Sequence, residues 1–437
     1  MYRKACDFSL MGKYVKLPGL IERSNSSNFL GNIMVKQLLR FWLLAALSFM
    51  TAVSYAADAP KPNGPTLTAP PVPHVVPSPP PISAKAYVLM DFDSNALLAS
   101  KNPDMKIEPA SLTKMMTGYI VFNELKQGNI HLDDEVTISK KAWQMPGSKM
   151  FIEVGKKVKV SDLIKGMDIQ SGNDATVALA EHIAGSEEVF VELMNQYAKQ
   201  LGMKNTHFMN STGLPHPEHY STARDLAILA QAIIRDFPEA YKVYKEKQFT
   251  YNGITQYNRN KLLWQDDSVD GLKTGHTESA GYCLVASAKR NGMRLISVVV
   301  GTDSAAKRVQ ESQKLLNYGF RFFETHKLYS AGQRLIEARV WEGVRDTVGL
   351  GLEKDLYVTT PRGQFQSLKI ETTVQPDIKA PVEKGQQLGE LHVSLNQQSL
   401  AERPLVALDK VDQGSFFKRL TDQIKRLFQS LLAWLGL

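Results

Sequence analysis

The chain has 437 residues, 43% of them hydrophobic and 22% charged, which is ordinary globular material and excludes disorder as its general state. The net charge of +8 invites a nucleic-acid partner, but residues 1–56 hold seven Lys/Arg against two acidic residues, a surplus of five that sits outside any binding face. The remaining basic groups scatter without interleaved aromatics, so nucleic acid is excluded as a partner.

Residues 1–33 fit neither a targeting signal nor a domain and are expected to be a non-native N-terminal extension, with translation beginning at Met34. Residues 34–56, "MVKQLLRFWLLAALSFMTAVSYA", carry Lys36 and Arg40, then an apolar run, then Ser-x-Ala. Those are the three regions of a secretory signal peptide; an uncleaved anchor is the alternative, against which the short apolar run counts. A start at Met34 removes Cys6 and leaves Cys283 alone, so no internal disulfide can form. In "GYCLVASA" that cysteine is expected to be a small core residue. Residues 57–84 contain "APKPNGPTLTAPPVPHVVPSPPPISA", which cannot bury a core and reads as an extended linker. A docking site is the alternative there, without a repeated P-x-x-P register to support it.

From "KAYVLMDFDSNALLAS" onward strand-like alternation begins. Helix-like runs follow at Ser111–Leu125, Val160–His182, Ser186–Leu201 and Thr222–Arg235. A strand-rich block then contains "GYCLVASAKR" and "RLISVVVGT", joined by "NGM", a turn signal. A last helix is expected at Ala305–Phe323. Strands at both ends with helices between imply one sheet whose edges come from distant chain segments. Beyond Leu328, "RLIEARVW", "DLYVTT", "SLKIETTV", "ELHVSL" and "RPLVAL" are short strand-like runs broken by Gly, Pro and Asp, the mark of a small all-β domain.

The chemistry begins in "EPASLTKMMTGYI". Ser111 and Lys114 are three apart at the head of a helical run, so they share a face one turn apart. A serine needs a positioned base to become a nucleophile, and a lysine is a base only when burial or nearby cations lower its pKa. Alone, S-x-x-K is weak, since a capping serine and a surface lysine give the same letters. Two further stretches change that. "DIQSGNDA" supplies Ser171-Gly172-Asn173 at a glycine-containing break, and "VDGLKTGHT" supplies Lys273-Thr274-Gly275. S-x-x-K, S-D-N and K-T-G in this order are the set shared by penicillin-binding proteins and class A β-lactamases. Ser111 is therefore the expected nucleophile.

With S-G-N in place of S-D-N, "NRNKLLW" ahead of "KTGHT", a downstream β domain and an amphipathic tail, the chain resembles the low-molecular-mass penicillin-binding proteins of the serine D-Ala-D-Ala carboxypeptidase family, the penicillin-binding protein 5/6 type. The likeness runs from about Ala84 to the C-terminus. It implies an α/β (α+β) fold: a transpeptidase/β-lactamase-like catalytic domain over 85–325, a second small all-β domain over 328–412, and a C-terminal amphipathic helix over 415–437. It also implies roles. Ser111 attacks the carbonyl between two terminal D-alanines, Lys114 takes its proton, and Ser171 relays a proton to the leaving amine. Asn173 holds the substrate amide, while Lys273 adds positive charge beside the serines. Thr274 and Gly275 line the substrate, and Thr274 with Arg259 binds its terminal carboxylate. The backbone N–H groups of Ser111 and His276 form the oxyanion hole. An imidazole base at His276 is the alternative, made redundant by Lys114. The partners implied are a peptidoglycan pentapeptide stem and β-lactams as covalent inhibitors, with no cofactor.

Other readings are plainer. Asp270 and Glu278 are expected to be solvated loop carboxylates. His207, His216 and His219 share a loop, but without H-E-x-x-H or paired Cys/His spacing no metal is expected. A class A β-lactamase requires a deacylating glutamate, usually in E-x-x-L-N, and that string is absent. An inactive wall-binding protein has no need for Ser111 and Lys114 together. In "GSFFKRLTDQIKRLFQSLLAWLGL", Phe416, Phe417, Leu420, Ile424, Leu427, Phe428, Leu431 and Leu435 recur at helical spacing. Lys418, Arg419, Lys425 and Arg426 flank them, and Trp434 suits a lipid interface. The charges prevent a span, so a helix lying in the bilayer surface is expected, docking onto the β domain being the alternative. That places the protein in the periplasm, on the outer face of the bacterial inner membrane.

Overall fold

A computed structural model of the protein describes residues 76–435, with side chains as far as Gln429. The expected extension, signal peptide and most of the linker lie outside the described residues, as do the side chains of Leu431, Trp434 and Leu435.

Strict alternation explains the central sheet. In β1 (Ala86–Asp91), Ala86, Val88 and Met90 enter one core while Tyr87 and Leu89 enter another, so both faces are buried. With β2 (Leu97–Lys101), β3 (Val269–Thr277), β4 (Gly281–Arg290) and β5 (Met293–Thr302), it forms an antiparallel sheet ordered β2-β1-β5-β4-β3. The two ends of the domain thus meet at β1 and β5, as the run of elements implied. Asn291 and Gly292 both take positive φ, 49° and 86°, which is the two-residue hairpin turn that matches strand twist.

Helices cover both faces. Those of the larger cluster are α1 (Lys114–Gln127), α2 (Val160–Asp168), α3 (Asn173–Ala184), α4 (Glu187–Gln200) and α5 (Ala223–Asp236); α6 (Ala305–Phe322) packs on the opposite face through Val309, Leu315 and Leu316. Hydroxyl caps start several of them: Ser186, Thr222 and Ser304 each accept a backbone N–H three residues on. The run expected as one helix over Val160–His182 is two. The interruption falls where Ser171 adopts φ 69°, and Asp174 accepts the N–H groups of Met150 and Phe151 instead of leaving α3 to extend backwards. Cys283 is fully buried in β4, as a core residue.

The second domain is all-β. Its sheet is ordered β7-β8-β12-β11-β10, with β7 (Ile336–Arg339), β8 (Thr347–Gly351), β10 (Lys369–Val374), β11 (Gln387–Leu395) and β12 (Gln398–Ala407), while β6 (Phe323–Tyr329) pairs with β9 (Leu356–Pro361). The strands β6 and β8 were not singled out in the sequence. Thr325 Oγ1 donates to Asp91 Oδ2 at 2.7 Å, tying β6 to the catalytic domain. The C-terminal helix α7 (Phe416–Leu435) follows, and among the described residues no helix is long and apolar enough to cross a membrane.

Candidate active site

Ser111 lies in a 3-10 turn (Ala110–Thr113) that feeds α1, so Lys114 begins the helix one turn beyond it. The Lys114 Nζ lies 3.0 Å from Ser111 Oγ, 2.7 Å from Asn173 Oδ1 and 2.7 Å from the Thr212 carbonyl oxygen. A neutral amine has two N–H groups and one lone pair. The amide oxygen and the carbonyl take the N–H groups, which leaves the lone pair for the Ser111 hydroxyl. Lys114 is fully buried, and burial first, then the Lys273 and Arg259 charges, hold its pKa well below the ordinary ammonium value; Asp174 and Asp168 oppose them. The geometry therefore offers a base hydrogen-bonded to a serine.

The other motif residues converge here. Ser171 is 2% exposed, and its Oγ has no hydrogen-bond partner among the described residues. Asn173 donates Nδ2 to the Pro146 carbonyl at 2.6 Å, which leaves its second N–H for another acceptor. Lys273 is 2% exposed and reaches the Thr274 carbonyl at 3.3 Å; burial lowers its pKa while Asp168 acts to raise it. Ser111, Ser171, Arg259, Thr274 and His276 line one cleft of about 420 Å³ beside β3, the edge strand of the sheet. Arg259 makes no ion pair among the described residues, so its guanidinium is free for an anion, though burial lowers its pKa. The His276 ring is exposed and lies against Tyr282, tilted by 34° at 4.0 Å between centroids.

Gly275 has a steric role that its motif does not announce. A Cβ there would sit 3.0 Å from the Pro109 carbonyl oxygen and 3.3 Å from the Ala110 Cβ, so β3 lies directly against the nucleophile's turn. Gly213 is tighter still: φ is +88°, and a Cβ would fall 1.8 Å from the Ala110 carbonyl oxygen. Asn210 shapes that loop, its Oδ1 accepting the N–H of Gly213 at 2.7 Å. Thr212, Gly213, Ser148 and Arg308 were not anticipated. The glycine in "NSTGLP" was the one local signal of the loop, whereas Arg308, whose Nη1 donates to the Gly275 carbonyl at 3.1 Å, gave none.

One plainer expectation changes. Asp270 is not a solvated loop carboxylate: it lies in β3, pairs with Arg294 at 2.7 Å and accepts the Tyr241 hydroxyl at 2.7 Å. Glu278 is exposed. His219 is buried with a structural task. Its Nδ1 accepts the Met209 N–H, which leaves Nε2–H to donate to Thr113 Oγ1 at 2.8 Å, and burial pushes its pKa down to about 4. It therefore stays a neutral pin beside Lys114.

A D-alanyl-D-alanine carboxypeptidase family model matches residues 74–304. A model for the penicillin-binding protein 5 C-terminal domain matches residues 323–413. The chain belongs to the D-alanyl-D-alanine carboxypeptidase family. It is 47% identical to the D-alanyl-D-alanine carboxypeptidase DacC of Escherichia coli over 82% of this chain and 90% of that one. Against DacA of Haemophilus influenzae it is 48% identical, over 79% of this chain and 89% of that one. Among solved structures, penicillin-binding protein 5 from Haemophilus influenzae superposes with a TM-score of 0.75 at 48% identity, covering 77% of this chain and all of that one. Penicillin-binding protein D2 of Listeria monocytogenes, in its ampicillin-bound form, matches with a TM-score of 0.51 at 31% identity, over 55% of this chain and 98% of that one. The fold is thus the α+β catalytic domain with a second β domain of this family, and the protein is a serine-type carboxypeptidase.

Proposed function

We propose that the protein removes the terminal D-alanine from peptidoglycan pentapeptide stems through an acyl-enzyme on Ser111, and that β-lactams acylate the same oxygen. Ser111 Oγ attacks the carbonyl between the two D-alanines as its proton passes to the Lys114 lone pair. The tetrahedral oxyanion is received by the backbone N–H groups of Ser111 and His276. The leaving amine takes a proton through Ser171, whose hydroxyl has no competing partner among the described residues. A water then hydrolyses the ester, with Lys114 again the base. Asn173 offers its spare N–H to the substrate amide. Thr274 and Arg259 hold the terminal carboxylate, Gly275 lets the strand approach, and Lys273 keeps the field positive so that Lys114 stays neutral.

The observation that carries this reading is the buried Lys114 at 3.0 Å from Ser111 Oγ, with two acceptors placed for its two N–H groups. The test pairs D-alanine release from a pentapeptide ending in D-Ala-D-Ala with labelling by a fluorescent penicillin. The wild-type chain is expected to do both, and Ser111→Ala neither, while folding normally. Stoichiometric labelling of Ser111→Ala at another serine overturns the assignment.

The reading extends to placement in the cell. The expected signal peptide, the linker to 84, the catalytic domain over 85–325 and the β domain over 328–412 describe an exported enzyme. The helix over 415–437 then holds it on the outer face of the inner membrane. The exposed Phe416, Phe417, Ile424, Leu427 and Phe428 support this, since they form an uncovered apolar face.

A further inference from the structure

Of "NRNKLLW", the mechanism above uses Arg259 alone. That arginine stands between two asparagines, and the three alternate. Asn258 is 2% exposed and Asn260 1%, while Arg259 is exposed and lines the cleft with Ser111 and Thr274. A buried amide needs partners for both of its ends. Asn258 holds the local chain: its Nδ2 donates to the carbonyls of Tyr244 at 3.2 Å and Glu246 at 3.0 Å, and its Oδ1 accepts the Asn260 N–H at 2.9 Å. Asn260 reaches in two directions. Its Oδ1 accepts the Leu262 N–H at 3.2 Å, which closes a turn two residues on, and its Nδ2 donates to the Gly271 carbonyl at 3.2 Å. That last bond leaves the loop and lands on β3.

Gly271 is a fixed point of the sheet. Its neighbour Asp270 accepts the two Nη groups of Arg294, from β5, at 2.8 and 2.7 Å, and the Tyr241 hydroxyl at 2.7 Å. Tyr241 also closes on the glycine itself, since a Cβ there would stand 2.5 Å from Tyr241 Oη. Lys273-Thr274-Gly275 begins two residues further along the same strand. Asn260 thus ties the loop that carries Arg259 to the strand that carries Thr274. A carboxylate gripped by a guanidinium and a hydroxyl needs the two donors at a set separation. A long arginine side chain on an untied loop loses that separation to its own rotamers and to the loop's motion.

We propose that Asn260 is a positioning residue for the substrate's terminal carboxylate. Its side-chain amide straps the Arg259 loop to β3 at Gly271, so that the guanidinium and the Thr274 hydroxyl meet the carboxylate as one preset pair. This rests on the reading of Arg259 and Thr274 as the holders of that carboxylate. Only an amide serves at 260, because one end must accept an N–H and the other must donate to a carbonyl; an ionised aspartate has no hydrogen to give. The strap confers preference for a free C-terminal acid and leaves the chemistry at Ser111 to the lysine.

Asn260→Ser in the full chain tests this. A serine hydroxyl can still accept the Leu262 N–H but is too short to reach Gly271, so the turn stays and the strap goes. The readout is kcat/KM for release of the last residue from a peptide ending in D-Ala-D-Ala, divided by kcat/KM for the same peptide as its C-terminal amide, both followed by mass spectrometry. Measured on one preparation, this ratio is independent of the fraction of enzyme folded, so a destabilised variant still reports. It is expected to fall about fivefold or more in Asn260→Ser and further in Arg259→Ala, while the double variant falls no lower than Arg259→Ala alone. Asn260→Thr, which offers the same acceptor, carries the same expectation should the serine variant not fold. Equal losses on acid and amide, or a double variant whose ratio falls by the product of the two single effects, overturn the proposal. A ratio unmoved in Arg259→Ala sinks the carboxylate reading and the proposal with it; a ratio moved there but not in Asn260→Ser sinks the proposal alone.

Discussion

Whether Lys114 is a base or only a charge is decided by one substitution. Arginine keeps the cation but stays protonated at any working pH, so it has no lone pair for the Ser111 proton. Lys114→Arg is expected to lower penicillin acylation by orders of magnitude, read as the second-order labelling rate. In the wild-type chain the base is available once pH exceeds the depressed Lys114 pKa, so acylation should already be efficient well below the ordinary ammonium range. A near wild-type rate for the arginine variant would reduce Lys114 to an electrostatic role. At this scale the sequence was legible where chemistry is local. Ser111 and Lys114 declare themselves by a spacing of three, and Lys273-Thr274-Gly275 by its letters. Arg308 and the Asp270–Arg294 pair were not legible, because each acquires its meaning from a partner brought close only by the fold.

Elements carry the nucleophile into place. The Asn210–Leu214 loop presses Gly213 against the carbonyl of Ala110, itself at φ 47°, immediately before Ser111. Gly213→Ala would need a positive φ, at a cost of about 1–3 kcal/mol, and would in addition drive a methyl into that carbonyl. Moving Ala110 moves the serine. The expected outcome is an acylation rate at least about tenfold lower, together with a lower melting temperature. Gly253→Ala is the control: it shares a positive φ of +77°, but nothing lies within 4 Å of its Cβ. It should lose stability only and label at the wild-type rate. Equal labelling by both variants would mean that the loop does not position Ser111. The same scale shows where pattern reading stops. Periodicity carried a helical run through Val160–His182, yet Asp174 spends its carboxylate on the Met150 and Phe151 N–H groups, and the chain breaks at Ser171. The strand β8, "TVGLG", is short and glycine-containing, so its strand character comes from pairing with β7 and β12 rather than from propensity.

At the scale of the molecule, α7 bears on two readings that the sequence left side by side. The helix does dock on the β domain, but by its polar face. Asp422 is fully buried, accepts the Glu342 N–H at 2.9 Å and pairs with Lys418 at 2.9 Å, while Arg426 reaches Asp377 at 2.8 Å. The apolar face is what remains open, with Phe417 76% and Leu427 75% exposed. Spacing announced the amphipathic helix, but it could not say which face would be covered by protein, because that depends on carboxylates supplied from 342–377. A version of the chain ending at Asp412 is expected to stay soluble without detergent and to release D-alanine from small peptides at the full rate. The site lies in another domain, on residues 111–276. Truncation also leaves the Glu342 N–H without its acceptor, at a cost of about 1–3 kcal/mol borne by the β domain. Point variants are therefore the cleaner probe. Leu427→Glu and Phe428→Glu place a charge on the open face without touching Asp422 or Arg426. They should abolish sedimentation with anionic vesicles while leaving melting temperature and activity unchanged. Wild-type sedimentation should weaken with salt, because Lys425 and its basic neighbours flank the apolar stripe. If the glutamate variants still bind vesicles, or if they unfold the β domain, the open face belongs to the fold rather than to the lipid.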